Sequence, residues 1–349
     1  DIAAKWPSYY NDEVEVLSMT VAQHGSDGLV HFLLQELEDQ HGRLLVEAVL
    51  CVLTLSADGL SLSEMEDLVS TIDDVLDDVF EWWTPPIRRI PPMLVHRLLR
   101  DFKRYIGEQG SRGGVAGVYR WYHQQFAAAT KNRYLTDKGK QQYYYSILGK
   151  YFCNLLEPDM VKERRLTPQT LVKHGNDINI WSKSCRVNVR RVSEGACGLI
   201  AAGLLEEAMV HLCSIPQVCA YLKSNSATVL LEELFSIRDK YELIGHSTVP
   251  LRLHHYIRWL QQDMTAVIIN PELNIFSTVA IQPGISLARS DAVALLSSTD
   301  SNTVTGFERD SWIRCKQLGS RKVEFDNTKI VLAGHDYKVP MSIWSTDGC

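Results

Sequence analysis

The residues best suited to chemistry in this chain lie in one stretch, Val118-Tyr119-Arg120-Trp121-Tyr122-His123-Gln124-Gln125-Phe126. His123 stands among large aromatics and is followed by Ala127-Ala128-Ala129, a run of strong helix formers. Trp121, Tyr122, Phe126 and Tyr134 recur at roughly helical spacing, and a glycine-rich loop from Gly107 to Gly117 precedes them. The stretch therefore reads as a loop or strand that delivers a helix with His123 in its first turn. Helix starts carry unpaired N–H groups and the positive end of the dipole. An imidazole there can face an anion such as a phosphate. The competing reading makes His123 a core or capping residue.

Other residue types invite chemistry and have simpler explanations. Asp73, Asp74, Asp77 and Asp78 suggest a metal or an acid–base pair. Acidic residues also belong in a first helical turn, where they complement the dipole, and EF-hand spacing is missing here. Arg88 and Arg89, between Pro85-Pro86 and Pro91-Pro92, can bind an anion or pair with those aspartates. His254 and His255 are adjacent on a helix, so their side chains diverge by about 100° and do not make a two-histidine metal site. The eight cysteines form no C-x-x-C pair and most fall on apolar helical faces. That favours a reducing, cytoplasmic setting over a disulfide scaffold. With no nucleophile–base pair, metal cluster or cofactor loop, the expectation is no catalytic residue, no metal site and no enzyme.

The elements that must position His123 follow from pattern. A length of 349 residues suggests two or three domains. Net charge is −6, so no overall basic field favours nucleic acid or an anionic membrane. The chain begins at Asp1 without a charged, apolar leader, so no signal peptide is expected. The longest apolar run, Leu44 to Leu55, contains Glu47 and is too short to span a bilayer. Leu29 to His41 reads as an amphipathic helix ended by Gly42, and Arg43 to Leu55 as a more buried one. Ser61 and Glu64 fit a capping box that opens a third helix. A fourth runs from Asp73 to Trp83, Met93 to Tyr105 passes from helix to strand, and 105–122 suits a β-hairpin with a glycine-rich tip. Helices, hairpin, then helix is the order of a winged helix. Such domains often read DNA through a basic helix. Here the helices are acidic or neutral, and Arg97, Arg100, Lys103 and Arg104 are spread along one segment. Asp137 to Leu156 is a helix whose tyrosines suit a core.

The expected fold class is mainly α: a winged-helix module over 29–156, a repeat-like helical array over 157–275, and a truncated β start at the end. Residues 1–28 resemble the end of an upstream module, and 276–328 a mixed connector. Residues 329–349 carry Gly334-His335 after one alternating strand and Ser345-Thr346-Asp347-Gly348 after another, which looks like the opening of a WD40 propeller.

The ordered strings Gly59 to Ser70, Asp73 to Val79, Pro85 to Pro92 and Trp121 to Phe126 resemble the NACHT and WD-repeat proteins. These are STAND-class NTPases related to apoptotic and innate-immune scaffolds and to the telomerase-associated protein. The resemblance covers the winged helix that follows the nucleotide-binding core. It implies that His123 touches the β-phosphate of bound ADP and helps hold a closed state. It further implies ADP/ATP (or GTP) as ligand of a longer parent, protein partners and homo-oligomerisation. One departure is large: no G-x-x-x-x-G-K-[ST] string occurs, and Thr136-Asp137-Lys138-Gly139-Lys140 is not one. Either an upstream NTPase core is cut off or the protein has lost it; the start at Asp1 rather than Met favours a fragment, and the chain alone is not expected to bind and hydrolyse nucleotide by this mechanism. Two functions follow, a nucleotide-switched regulatory midsection or a nucleotide-independent helical adaptor.

Overall fold

A computed structural model describes residues 28–83, 85–109, 117–172, 180–181, 185–243, 249–269 and 271–298. The module thought to precede residue 29 and the WD40-like end at 329–349 lie outside the described residues. Among the described residues the fold is mainly α with one three-stranded sheet.

Helix α1 covers 28–41 and α2 Arg43–Leu55, separated by Gly42 at φ 87°. Strand β1, Leu60–Ser61, leads into α3, Leu62–Val69. The capping box read from Ser61 and Glu64 is formed: the Glu64 amide donates to Ser61 Oγ, and the Ser61 amide donates to Glu64 Oε2. Then come α4, Asp73–Val79, and α5, Pro92–Asp101. Strands β2, Ile106–Gln109, and β3, Val118–Trp121, make an antiparallel hairpin. β3 lies centrally, pairing with β1 through Leu60↔Tyr119 and Ser61↔Val118. Helix α6, Gln124–Tyr134, follows β3 directly.

Helix α7, Lys138–Phe152, joins two cores. It buries Tyr144, Ile147, Leu148, Tyr151 and Phe152 in the winged-helix core. Across it lies α9, Val189–Ala202, reached through the short α8, Pro158–Glu163. The two helices meet at glycine. A Cβ on Gly149 would stand 2.5 Å from the Leu199 amide nitrogen, and one on Gly198 would stand 2.7 Å from the Gly149 amide nitrogen. Both obstacles are backbone, which cannot swing away, so the spacing requires residues without side chains at the crossing.

The second core belongs to α9 and the helices after it: α10, Leu205–Leu212; α11, Ile215–Lys223; α12, Ala227–Leu243; α13, Leu251–Ile269; α14, Pro271–Ala280; and α15, Leu287–Ser298. The last two occupy 271–298, where the sequence pattern suggested a mixed connector from 276. Ile275, Phe276, Val279, Ala288 and Ala292 are buried in the array core. Pro271 misleads because it stands at the first helical position, where no N–H is needed. The buried polar Thr278 is satisfied by the Trp259 indole at 3.1 Å. No helix among the described residues is long and apolar enough to cross a membrane.

Two measurements test this packing. Gly149→Ala gains about 1 kcal/mol of helix propensity, but forcing α7 from α9 costs about 1–3 kcal/mol or more. A net loss of stability in chemical denaturation is expected. The second concerns Glu233 on α12, whose Oε2 accepts from Tyr221 at 2.6 Å. Burial pushes its carboxyl from 4.5 up to about 8, partly opposed by the Tyr221 hydrogen bond. Between those values the folded state holds a proton that the unfolded state has lost, so this residue's contribution makes stability fall as pH rises from 4.5 to about 8. Glu233→Gln should flatten stability against pH across that window, with the gain over the native chain largest at its alkaline end.

Candidate functional site

His123 is the N-cap of α6, extended at φ −122° and ψ 135°. The sequence placed it in the first turn, and the structure puts it at that turn's edge. Its imidazole is exposed and makes no capping hydrogen bond, so no side chain closes the start of this helix. The residue therefore holds the N-cap position without lying in the core or capping through its side chain. The Tyr122 ring meets the imidazole edge-on, with centroids 4.7 Å apart.

The position of His123 is fixed from below. Phe102, Tyr105, Trp121 and Phe126 form an aromatic floor with centroid spacings from 4.5 to 6.1 Å. Trp121 donates its indole N–H to Thr54 Oγ1 at 3.0 Å, tying the end of β3 to α2. The Tyr122 amide donates to the Tyr105 carbonyl at 2.9 Å, extending the hairpin ladder by one rung.

It is also fixed from the side, through the turn Ala57-Asp58-Gly59. Arg120 on β3 donates Nε to the Asp58 carbonyl at 2.9 Å and Nη2 to Asp58 Oδ1 at 3.0 Å. From the array, Glu194 on α9 accepts the Ala57 and Asp58 amides at 2.9 and 2.6 Å. Arg190, one turn earlier, donates Nη2 to the Gly59 carbonyl at 2.5 Å and pairs with both Glu64 oxygens and Glu194 Oε1. Gly59 has φ +71°, and a Cβ there would stand 2.3 Å from the Tyr119 carbonyl oxygen. Only glycine fits.

This buried charge cluster is matched by chemistry. Burial alone would lower the Arg190 pKa, but the Glu64 hydrogen bonds and the charges of Glu64, Glu194 and Asp58 outweigh it and hold the guanidinium above its ordinary value. Burial raises the Glu194 carboxyl, opposed by Arg190 and the two amides it caps. Sequence reading passed over the cluster. The available signal was an Arg–Glu pair at i,i+4 within the apolar face formed by Val192, Ala196 and Leu199.

The other candidate residues resolve into structure. Arg88 pairs with Asp73 and Asp77, two of those aspartates, while Arg89 pairs instead with Asp67 and Glu66. Arg164 also reaches Asp73, at 2.7 Å. His255 accepts the Leu287 amide on Nδ1 at 3.1 Å, which places it at the start of α15. Cys51, Cys153, Cys213 and Cys219 are buried, Cys197 is exposed, and none of these is in a disulfide. Among the described residues no group of His, Cys, Asp or Glu is arranged to hold a metal.

The fold thus defines a winged-helix module docked by α7 and a buried charge cluster onto a helical array. Residues 15–142 match the family described as "NWD1-like, winged helix-turn-helix domain". The chain is 30% identical over 221 residues to human NACHT domain- and WD repeat-containing protein 1, covering 59% of this chain and 13% of that protein. The mouse protein of the same name matches to the same extent. Human NACHT and WD repeat domain-containing protein 2 is 29% identical over 152 residues, 43% of this chain and 8% of that protein. The chain is thus similar to NACHT and WD-repeat proteins over part of its length, and the module matched at residues 15–142 is described as a winged helix. It spans about an eighth or less of the length of these relatives. No solved structure matches it.

The clamp on the 57–59 turn yields a stability prediction. Arg190→Met leaves Glu64 and Glu194 buried without their cation, and breaking a buried pair in this way costs about 3–5 kcal/mol. Urea denaturation of the variant should show a loss in that range.

Proposed function

We propose that this chain is the regulatory and scaffold midsection of a nucleotide-switched signalling protein, with His123 facing the β-phosphate of ADP held on a neighbouring nucleotide-binding domain. The observation that carries this reading is the exposed imidazole at an uncapped helix start, seated on a rigid aromatic floor. A polarised ring N–H and an open helix N-terminus are complementary to phosphate oxygens. The names of the relatives, which pair a NACHT domain with WD repeats, agree with a neighbour of that kind.

The clamped turn gives the same reading a route for movement. β3 carries His123 at its end, and Arg120 on β3 shares the 57–59 turn with Arg190 and Glu194 on the array. A shift of α9 would be felt at the strand that presents the imidazole. In the full-length protein, signal-driven movement of the array would thereby alter nucleotide retention and expose surfaces for protein partners and self-assembly. A ligand biases such a switch only through different affinities for its two states.

The test is His123→Ala in the full-length parent. Loss of one charge-assisted hydrogen bond of about 1.5–3 kcal/mol should speed ADP release roughly 10- to 100-fold and raise basal assembly. ADP retention and assembly indistinguishable from the native protein would favour the nucleotide-independent adaptor.

A further inference from the structure

A second site lies on the array and is independent of the nucleotide reading. A cavity of about 520 Å³ opens between the turn after α7 and helices α9, α10 and α11. Its lining includes Arg191 from α9, His211 from α10 and Gln217 from α11. Each presents a buried side-chain nitrogen with no hydrogen-bond partner: Arg191 Nε, His211 Nε2 and Gln217 Nε2. His211 is 8% exposed and Gln217 is 3% exposed. Only five side-chain atoms among the described residues are orphaned in this way, and three of them belong to residues that line this cavity. Buried polar groups left unpaired are costly, so three nitrogens in one cavity call for an explanation.

The charges point the same way. The Arg191 guanidinium is spent on one neutral acceptor, with Nη1 donating to the Gln169 carbonyl at 2.6 Å. It has no ion pair among the described residues. Burial pushes its pKa down, and burial with the nearby Arg191 charge pushes His211 down to about 3. A cation without its counterion thus stands beside a neutral imidazole and an amide, both able to donate. Ser214 and Pro216, at the start of α11, add a helix N-terminus that no side chain caps.

We propose that this cavity binds a small organic anion through a carboxylate or phosphate group, received by Arg191, His211 and Gln217. Glu206 and Glu207 also line the cavity, and they select against polyanions. Glu206 is already an acceptor for the Tyr241 hydroxyl at 2.8 Å. Leu155, Leu171 and Val210 supply apolar wall for the rest of the molecule. The fitting ligand therefore carries one or two negative charges on a compact, partly apolar body.

The experiment is thermal unfolding of the whole chain in graded acetate, butyrate or inorganic phosphate, at ionic strength held constant with chloride. A ligand that binds only the folded state raises the unfolding midpoint saturably. Butyrate or phosphate should do so, and whichever acts at lower concentration identifies the group. Two variants distinguish a binding site from a structural one. Gln217→Met and Arg191→Met replace orphaned polar groups with apolar ones of similar reach. Gln217→Met should raise the midpoint of the free protein or leave it unchanged, Arg191→Met should lower it by the lost bond to the Gln169 carbonyl, and both should abolish the anion-dependent shift. The proposal is overturned if no probe shifts the native protein beyond the chloride control. It is equally overturned if the variants shift as the native chain does, or if Gln217→Met loses stability with no anion present.

Discussion

Three residues, Ala57, Asp58 and Gly59, are gripped from two directions, and the relation between the two halves of this structure depends on that grip. Glu194 holds their amides from α9, Arg190 holds the Gly59 carbonyl, and Arg120 holds Asp58 from β3. A buried ion cluster of this kind adds little net stability compared with apolar packing. Its value is positional, because each charge is satisfied only in one arrangement. Three glycines set the distance at which the arrangement closes. Gly149 and Gly198 let α7 and α9 approach backbone to backbone, and Gly59 lets the turn run under Tyr119.

Against that rigid frame, the polar groups left open are informative. The start of α6 is uncapped while α3, α7 and α9 are capped by Ser61, Asp137 and Asn188. The array is paired at Arg252–Asp291 and Tyr221–Glu233, while Arg191, His211 and Gln217, which line the cavity, each keep a buried nitrogen without a partner. Three unpaired buried nitrogens around one cavity give up stability there, as binding sites commonly do.

Much of the winged helix could be read directly from sequence because its signals are local. The capping box, the Gly42 break, the full extent of α2 and the hairpin around the glycine-rich tip each depend on residues a few positions apart. The place of His123 at a helix start was legible for the same reason, since the helix that follows it announces itself in Ala127 to Ala129. The clamp was not legible, because its partners are separated by more than 60 residues and no short pattern joins Asp58 to Arg120 or Arg190. Helices α14 and α15 were hidden by Pro271, Pro283 and Gly284, which resemble loop punctuation but fall at the first position of α14 and between the two helices. The cavity on the array was invisible in principle, because an unpaired nitrogen is known only when its surroundings are known.

The central claim is that the array holds the strand presenting His123 through the 57–59 turn. Amide hydrogen exchange in Glu194→Gln tests it most directly, since the substitution keeps the side-chain shape and removes the charge that caps two turn amides. If the account is right, exchange accelerates at Ala57 and Asp58 and also along Val118–Trp121 and into the first turn of α6. Acceleration confined to the turn and α9, with β3 and α6 unchanged, would contradict it.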